Sequence, residues 1–337
     1  MDSLTHTVLG ACLGQLIAGK KIGKKAMLWG AIANNIPDID VITSAWMGQA
    51  DSLLAHRGFT HSILFAILFS PLIALLFSRI YKKTTMQFED WLFIFASGNL
   101  IHILIDSFTT YGTGWFEPFD HYRVSFDLFF VADPFFTISL LIAAIALLIM
   151  KKNNPNRNRW AKSALMICIL YFFFAAYNKH TIDANVREQL AEQQIPSNNL
   201  ITTPTPLNNF LWYIIAKNDS GFYVSYQSIF DHYKHLNFTF HNQNKNLLDS
   251  TVISDPDLEK LIRFSKDFYV LNKIDNQIYF SDVRFGQISG WNNPESNFVF
   301  RYILNKDANN DLVIQRGRFE GSGKKALGEL WKRMSLK

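Results

Sequence analysis

The stretch ILFAILFSPLIALLFSRI, residues 63 to 80, contains one charged residue, Arg79. A transmembrane helix needs about 20 predominantly apolar residues, each rising about 1.5 Å, so this stretch is long enough to cross a bilayer. Five more apolar runs lie in the first half of the chain, three long and two short; in order, they cover residues 7–19, 26–36, 91–105, 135–150 and 161–177. The sequence therefore predicts a multi-pass α-helical membrane bundle of about six helices, in which the two short ones are tilted, half-spanning or packed inside the bundle.

The second half of the chain has the composition of a soluble α+β domain. From residue 200 onward, runs rich in aromatic and β-branched residues are separated by Asn, Asp and Gly, a pattern typical of an antiparallel sheet. The predicted strands are residues 221–226, 237–240, 267–271, 277–285, 297–304 and 311–315, and the predicted helices are residues 254–264 and 324–334. We predict a membrane domain at residues 1–178 and a soluble, strand-rich domain at residues 179–337.

The positions of lysine and arginine predict the orientation of the bundle. Twelve of these residues lie in three loops, whereas the two other loops carry only Arg57 and Arg123; the basic loops are residues 19–25, 79–83 and 151–162. Because short basic loops stay in the cytoplasm, the amino terminus and the carboxy-terminal domain are predicted outside it. This topology accounts for the net charge of +5, so nucleic acid is not the expected main partner. MDSLTHTVLG lacks the basic start and small-residue cleavage site of a secretory signal peptide, and we expect it to stay in the mature protein.

Seven ionisable residues then fall on the outer side, each near the end of a predicted helix. They are His6, Asp38, Asp40, His56, His61, His102 and Asp106. Singly, each has an ordinary structural explanation, such as a hydrogen bond between His102 and Asp106 one turn apart, a capped helix end or an interfacial histidine. Together, they are costly beside lipid unless they are paired or functional. A bound divalent metal would compensate all of them, so we predict a metal site.

The ligand types restrict the choice of metal. Imidazole and carboxylate without thiolate favour zinc, manganese or iron over magnesium or calcium, and Cys12 and Cys168 lie in predicted membrane helices. Seven ligands exceed one tetrahedral site, so one or two ions are expected, most simply zinc. Five residues are candidate hydrogen-bond partners for the ligand histidines; they are Asn34, Asn35, Asn99, Asp127 and Asp133.

The predicted chemistry is hydrolysis of a phosphoester or lipid-like substrate by metal-activated water at the outer face of the membrane. We expect Asp38, Arg57 and Asp106 to take part, with Arg57 making a bidentate contact to phosphate; the alternative is an interfacial arginine that reaches lipid headgroups. Thr60 is expected to cap the following helix, with His61 in its first turn. The alternative function is a non-catalytic metal-binding membrane protein, either a transporter or a scaffold for the outer domain. A transporter would place ionisable residues near the bilayer midplane, whereas these gather at one edge.

Four motifs carry a resemblance to a known family. DSLTHTVLG, NNIPDID, HRGFTHS and HILIDSFTTYG occur in this order, followed by WFEPF and DP. Over about the first 140 residues the chain resembles the YdjM-like family of bacterial inner-membrane proteins, which are described as metal-dependent hydrolases. With TPLNNFLWYIIA and SDVRFG downstream, it resembles the members that carry an extra carboxy-terminal domain. The resemblance implies a membrane-bound hydrolase in a bacterial inner membrane.

The motif order is also similar, more distantly, to that of zinc-dependent phospholipase C and the single-strand nucleases grouped with it. That similarity implies that His6, Asp40, His102 and one of His56 or His61 are ligands, and that Asp106 bridges two ions. The chain lacks the second His-x-x-x-Glu of those enzymes, which puts a third ion in doubt.

Overall fold

The computed structural model describes residues 1–231, 235–248, 255–275, 277–304 and 323–335. The chain forms two compact units. The first comprises residues 1–45, 55–176 and 206–208, and the second comprises residues 46–54, 177–205 and 209–337. The predicted strand at residues 311–315 lies outside the described residues.

Each of the six predicted apolar helices is present. The helices are α1 (Ser3–Ile22), α2 (Lys24–Ala33), α3 (Gln49–Ala55), α4 (Ile63–Ile80), α5 (Phe88–Ser107), α6 (Pro134–Ile149) and α7 (Arg157–Glu192), with 3-10 helices at Pro37–Ala45 and Phe59–His61. The six predicted helices are all of these α-helices except the short α3. Among the described residues, α4, α5 and α7 are long and apolar enough to cross a membrane, and α6 is a shorter apolar helix. The sequence thus predicts the helical character of this region correctly.

The helices α1 and α2 form a tightly packed pair. They meet at Gly23, whose φ of 64° suits glycine. A Cβ atom added at Gly30 would lie 2.1 Å from the Gly10 carbonyl oxygen, and one added at Gly14 would lie 2.0 Å from the Ala26 carbonyl oxygen, so the two backbones touch. With 10 residues, α2 is about 15 Å long, half of the hydrocarbon thickness of about 30 Å. It is packed against α1 and does not cross a bilayer by itself.

The helix α7 is longer than the predicted run at 161–177. Its apolar part ends near Tyr177, but the helix continues because no proline or glycine interrupts it before Pro196. In the second unit, Ile182, Val186 and Leu190 are spaced four residues apart and pack against the buried Trp212. The final turns of α7 are therefore held by an amphipathic face.

The second unit contains two antiparallel sheets, with strand orders β1-β2-β3-β4 and β5-β6-β7. The strands are β1 (Asn199–Pro204), β2 (Leu211–Lys217), β3 (Gly221–Ser228), β4 (Thr239–Asn242), β5 (Tyr269–Ile274), β6 (Gln277–Gln287) and β7 (Phe298–Ile303), and the helices are α8 (Leu258–Ser265) and α9 (Gly323–Ser335). The antiparallel sheet class is confirmed. The strands β1 and β2 were not predicted from the sequence. The strand β2 is buried on both faces, so it lacks the alternation that marks a half-exposed strand.

Candidate metal centre

The helix α5 supplies the first two residues of the centre. His102 and Asp106 lie one turn apart on the same face, and both are fully buried. The His102 Nδ1 atom donates a hydrogen bond to the Asn34 carbonyl oxygen at the end of α2, over 2.7 Å. Because a carbonyl oxygen only accepts, this bond places the ring hydrogen on Nδ1 and leaves the Nε2 lone pair facing the centre.

The 3-10 helix Pro37–Ala45 supplies Asp38 and Asp40. Its opposite face is apolar, with Ile39, Val41 and Ile42 more than half exposed. Asp38 faces the imidazoles of His61 and His102, and although burial raises its pKa, these two neighbouring imidazoles keep the pKa well below the usual range. The carboxylate of Asp38 is therefore ionised at neutral pH.

HRGFTHS, residues 56 to 62, places its side chains by irregular backbone. Arg57 has a φ of 60°, and His61 ends the 3-10 helix Phe59–His61. The prediction that Thr60 caps α4 is wrong: the Ser62 side chain accepts from the Phe65 backbone and caps this helix, and His61 precedes its first turn. Thr60 donates instead to Asp40 Oδ2, over 2.8 Å.

Four ligand atoms converge at the centre. The His61 Nε2 atom lies 3.0 Å from His102 Nε2, 3.4 Å from Asp38 Oδ1 and 3.5 Å from Asp106 Oδ2. The His102 Nε2 atom lies 3.4 Å from Asp38 Oδ1 and 3.6 Å from Asp106 Oδ2. In a tetrahedral zinc site with bonds of about 2.0 Å, neighbouring ligand atoms are about 3.3 Å apart. The five distances scatter around that value, and all four atoms lie within 4.8 Å of one another, so they are close enough to bind one ion.

The hydrogen bonds of this cluster also leave acceptor atoms without a donor. The His61 Nδ1 atom lies 3.2 Å from Asp40 Oδ2 and 3.1 Å from Thr60 Oγ1; because the Thr60 hydroxyl already donates to Asp40, His61 Nδ1 is the donor. The lone pairs of His61 Nε2 and His102 Nε2 therefore face each other. The Asp106 Oδ2 atom accepts no hydrogen bond although it is buried. A metal ion would satisfy all three atoms, so the residues present fit a divalent metal.

His6 contacts the cluster from α1 without joining the four atoms. Its Nε2 atom lies 3.0 Å from Asp106 Oδ1, the second oxygen of that carboxylate, and the Met1 amine contacts the same oxygen. The imidazole of His6 stacks on that of His102 with ring centroids 3.8 Å apart. This arrangement restricts Asp106, so that Oδ2 is directed at the cluster.

Asp40 and His56 form a second group with Asp38, whose candidate ligand atoms also lie within 4.8 Å of one another. Asp40 accepts hydrogen bonds from the Arg57 backbone amide at 2.9 Å and from His56 Nδ1 at 3.0 Å. Burial raises the pKa of Asp40, but its bonds with His56 and His61 outweigh burial and hold the pKa well below the usual range. Burial lowers the pKa of His56 despite its contact with Asp40. The contacts of Asp40 suit a residue that orients His61.

Arg57 lies beside the cluster and is only 3% exposed. Its Nε atom is 2.8 Å from Asp106 Oδ2 in an ion pair that is not aligned as a hydrogen bond, and its Nη1 atom donates to Thr109. Burial lowers the pKa of Arg57 to about 10, so the side chain stays charged at neutral pH. Its burial excludes an interfacial arginine that reaches lipid headgroups.

Three residues of the centre were missed by the sequence analysis: Thr109, Tyr111 and Arg123. The Tyr111 ring lies between the guanidinium groups of Arg57 and Arg123, at 5.0 and 5.3 Å, and Arg123 donates to the His56 carbonyl oxygen. Thr109 and Tyr111 directly follow HILID in the sequence. Their position after the ligand helix is the only signal that would have identified them.

The five candidate partners of the ligand histidines differ in their roles. Asn34 contacts His102, through its backbone carbonyl oxygen. The other four make bonds elsewhere: Asn35 donates to Thr7, Asn99 donates to Ser70, Asp127 accepts from Ser125, and Asp133 caps α6 and accepts from Tyr171.

The fold and the centre define a class of protein: a helical membrane domain with a buried cluster of imidazole and carboxylate ligand atoms. The chain belongs to the YdjM inner membrane protein family, which matches residues 1–182, and it is located in the inner membrane. It is 33% identical over 122 residues to the inner membrane protein YbcI of Escherichia coli K12, covering 36% of this chain and 69% of YbcI. It is 31% identical over 154 residues to the uncharacterized protein YfhP of Bacillus subtilis 168, covering 44% of this chain and 46% of YfhP. No solved structure matches the chain.

Proposed function

We propose that the protein is a membrane-bound, metal-dependent hydrolase of phosphoester or lipid-like substrates. The observation that carries this proposal is the set of four ligand atoms from Asp38, His61, His102 and Asp106, which lie within 4.8 Å of one another and include a buried carboxylate oxygen without a hydrogen bond. Zinc agrees best with two nitrogen and two oxygen ligands, and manganese or iron are the alternatives. A second ion would use Asp38, Asp40 and His56.

A divalent ion held there would polarise a phosphoryl oxygen and lower the pKa of a water molecule, so that water attacks phosphorus and an alkoxide leaves. The protein residues have separate tasks. Asp106 is held by His6 and Arg57, and His61 is oriented by Asp40. Asp38 is the most accessible of the four, with its side chain 19% exposed where those of the other three are 0% exposed. We therefore infer that substrate reaches the centre on the side of Asp38.

The surface beside Asp38 supports an amphiphilic substrate. Ile39, Val41 and Ile42 are 54–58% exposed, and Phe59 is 47% exposed. In a protein of the inner membrane, this apolar rim suits acyl chains while the headgroup reaches the cluster. A lipid phosphoester would bring both features together.

Arg57 is the residue that we propose to neutralise charge at the centre. Its Nε atom already faces Asp106, and its Nη1 atom is bonded to Thr109. In this arrangement it acts first as a positioning residue for Asp106. Contact with a substrate phosphate would require its guanidinium to turn toward the side of Asp38.

A non-catalytic metal site is the second candidate, and one observation favours it. Four protein ligand atoms would fill all positions of a tetrahedral ion, as in structural zinc sites, whereas catalytic zinc sites keep one position for water. In the hydrolase, Asp38 would leave the ion so that water or substrate can bind. In the non-catalytic site, Asp38 would stay bound. Only the hydrolase predicts activity that depends on the same residues as the metal content.

Elemental analysis of the full-length protein in detergent, combined with phosphoester and phospholipid hydrolysis assays, tests the proposal. Wild-type protein should hold one to two equivalents of metal and hydrolyse a phosphoester. The variant Asp106→Asn should lose both, while the control Glu89→Gln, an exposed position on the same helix, should keep both. Metal without activity would support the non-catalytic candidate, and absence of metal after reconstitution would refute both.

We also propose a multi-pass topology with the carboxy-terminal domain outside the cytoplasm, supported by the distribution of basic loops. Both native cysteines are buried, so introduced cysteines can be labelled selectively. Gly221 is buried, and a Cβ atom there would lie 2.2 Å from the His241 carbonyl oxygen, so the exposed neighbour Ser220 is the probe position. A membrane-impermeant reagent should label a cysteine at Ser220 in intact cells and should not label one at Asn154. The reverse pattern would invert the topology.

A further inference from the structure

A second polar cavity lies in the first unit, at the end of α1 opposite to His6. It has a volume of about 330 Å³ and is lined by the last turns of α1, the loop after α6 and the start of α7. Its charged residues are Lys20, Lys152 and Arg157, and no acidic residue lines it. Lys20 is the fourteenth residue after His6 on the same helix, about 21 Å away at 1.5 Å per residue, so this cavity is distinct from the metal centre.

Arg157 gives the cavity an unusual electrostatic character. It is only 2% exposed. Its guanidinium donates to Gln15 Oε1 at 2.6 and 3.1 Å, to the carbonyl oxygens of Leu147 and Met150, and to Met27 Sδ, so neutral acceptors take up its N–H groups and none of them balances its charge. Within the part of the chain that the structure describes, no carboxylate forms an ion pair with Arg157, Lys20 or Lys152. A buried charge without a counter-charge is unfavourable, and an anion in the cavity would compensate it.

The remaining groups form a prearranged polar wall. Gln15, which is 2% exposed, accepts from Arg157 and donates to Asn158 Oδ1 at 3.0 Å. The methylene groups of Lys152 lie on Gly23, where an added Cβ atom would be 2.9 Å from Lys152 Cδ. Lys20 and Lys152 are themselves exposed and can reach a ligand that arrives from the membrane surface.

We propose that this cavity binds the phosphate of an anionic phospholipid headgroup. A lipid headgroup and free phosphate are both phosphate-bearing anions, and two observations favour the lipid. The cavity lies where α1, α6 and α7, all apolar helices, begin or end, and the protein belongs to an inner-membrane family. Basic pockets between membrane helices are known headgroup sites, and the volume is within the range of small-molecule sites, about 300–1,000 Å³. The proposal does not depend on the function of the metal centre.

Native mass spectrometry of the full-length protein, released from nanodiscs that contain equal amounts of phosphatidylglycerol and phosphatidylcholine, tests this site. The wild type should retain phosphatidylglycerol selectively. The double variant Lys20→Gln/Lys152→Gln should retain at least about tenfold less, because each lost basic contact weakens attraction to an anionic lipid. The control Lys82→Gln/Lys83→Gln removes the same charge from two exposed lysines in another predicted cytoplasmic loop and should behave like the wild type.

Three outcomes would overturn the proposal. Equal loss in both double variants would show that bulk charge, rather than the cavity, attracts the lipid. Full retention in Lys20→Gln/Lys152→Gln would place the lipid elsewhere. Displacement of phosphatidylglycerol by inorganic phosphate at millimolar concentration would identify free phosphate as the ligand. An unchanged Tm of Lys20→Gln/Lys152→Gln in detergent would confirm that the variant is folded.

Discussion

The ion pair between Arg57 and Asp106 provides the sharpest test of whether a metal occupies the centre. Arg57 is 3% exposed, Asp106 is fully buried, and Nε lies 2.8 Å from Oδ2. Removing one partner of a buried pair typically costs about 3–5 kcal/mol, because the other charge loses its compensation; the Met1 amine on Asp106 Oδ1 places this pair at the lower end of that range. For a unit of this size, each kcal/mol lowers Tm by about 2–4 °C, so Arg57→Met should lower the Tm of the metal-free protein by roughly 10 °C.

Bound zinc should reduce the decrease in Tm that Arg57→Met causes. When an ion is bound by Asp106 Oδ2, the carboxylate no longer depends on Arg57 for its counter-charge, so the Tm difference between Arg57→Met and wild type should fall to less than about half. Thermal unfolding in detergent, with chelator and with saturating zinc, measures both differences. The control Arg123→Met removes a buried guanidinium that packs on the same Tyr111 ring and should lose the same amount in both conditions. A loss for Arg57→Met that is equal with and without zinc would refute a metal ligated by Asp106.

Two further predictions separate the roles of residues around the cluster. Asp40→Asn should weaken zinc binding by about 10–100-fold without abolishing it, because Asp40 orients His61 through Nδ1; chelator competition measures this, and complete loss of binding would instead make Asp40 a ligand. Gly30→Ala should lower Tm strongly, because its Cβ atom would lie 2.1 Å from the Gly10 carbonyl oxygen and overpacking costs about 1–3 kcal/mol. An unchanged Tm for Gly30→Ala would contradict the close packing of α1 and α2.

The sequence predicts which residues gather in the centre better than what each of them does. His6, Asp38, His61, His102 and Asp106 follow from a physical argument, since ionisable groups at the end of apolar helices need compensation. Which of these residues are ligands and which position the ligands depends on backbone geometry, and that geometry leaves no periodic pattern in the sequence. The 3-10 helix Pro37–Ala45, for example, directs Asp38 and Asp40 inward while its apolar side chains are exposed.

The type of a secondary-structure element could be predicted where one hydrophobic period dominates the sequence. The prediction failed where burial on both faces removes that period. The helices α4 to α6 are continuous apolar runs between clear breaks, whereas β2 is a short apolar run buried on both faces, which periodicity cannot assign. The length of α2 also could not be predicted from the sequence pattern. NNIPDID shows where the helix must end, because of Pro37, but its close contact with α1 depends on glycines whose partners are known only in three dimensions.

Those glycines link the packing of the bundle to the chemistry of the centre. A Cβ atom at Gly10 would lie 2.7 Å from the Asn34 side chain, and one at Gly98 would lie 3.0 Å from the Asn34 backbone nitrogen, so α1 and α5 approach the end of α2 only because both positions are glycine. This approach brings the Asn34 carbonyl oxygen within 2.7 Å of His102 Nδ1. That hydrogen bond fixes the ring hydrogen on Nδ1 and leaves Nε2 for a metal. Close helix packing at residues that are not ligands therefore determines which nitrogen of His102 faces the cluster, and in chelator competition Gly98→Ala should weaken metal binding without altering any ligand residue.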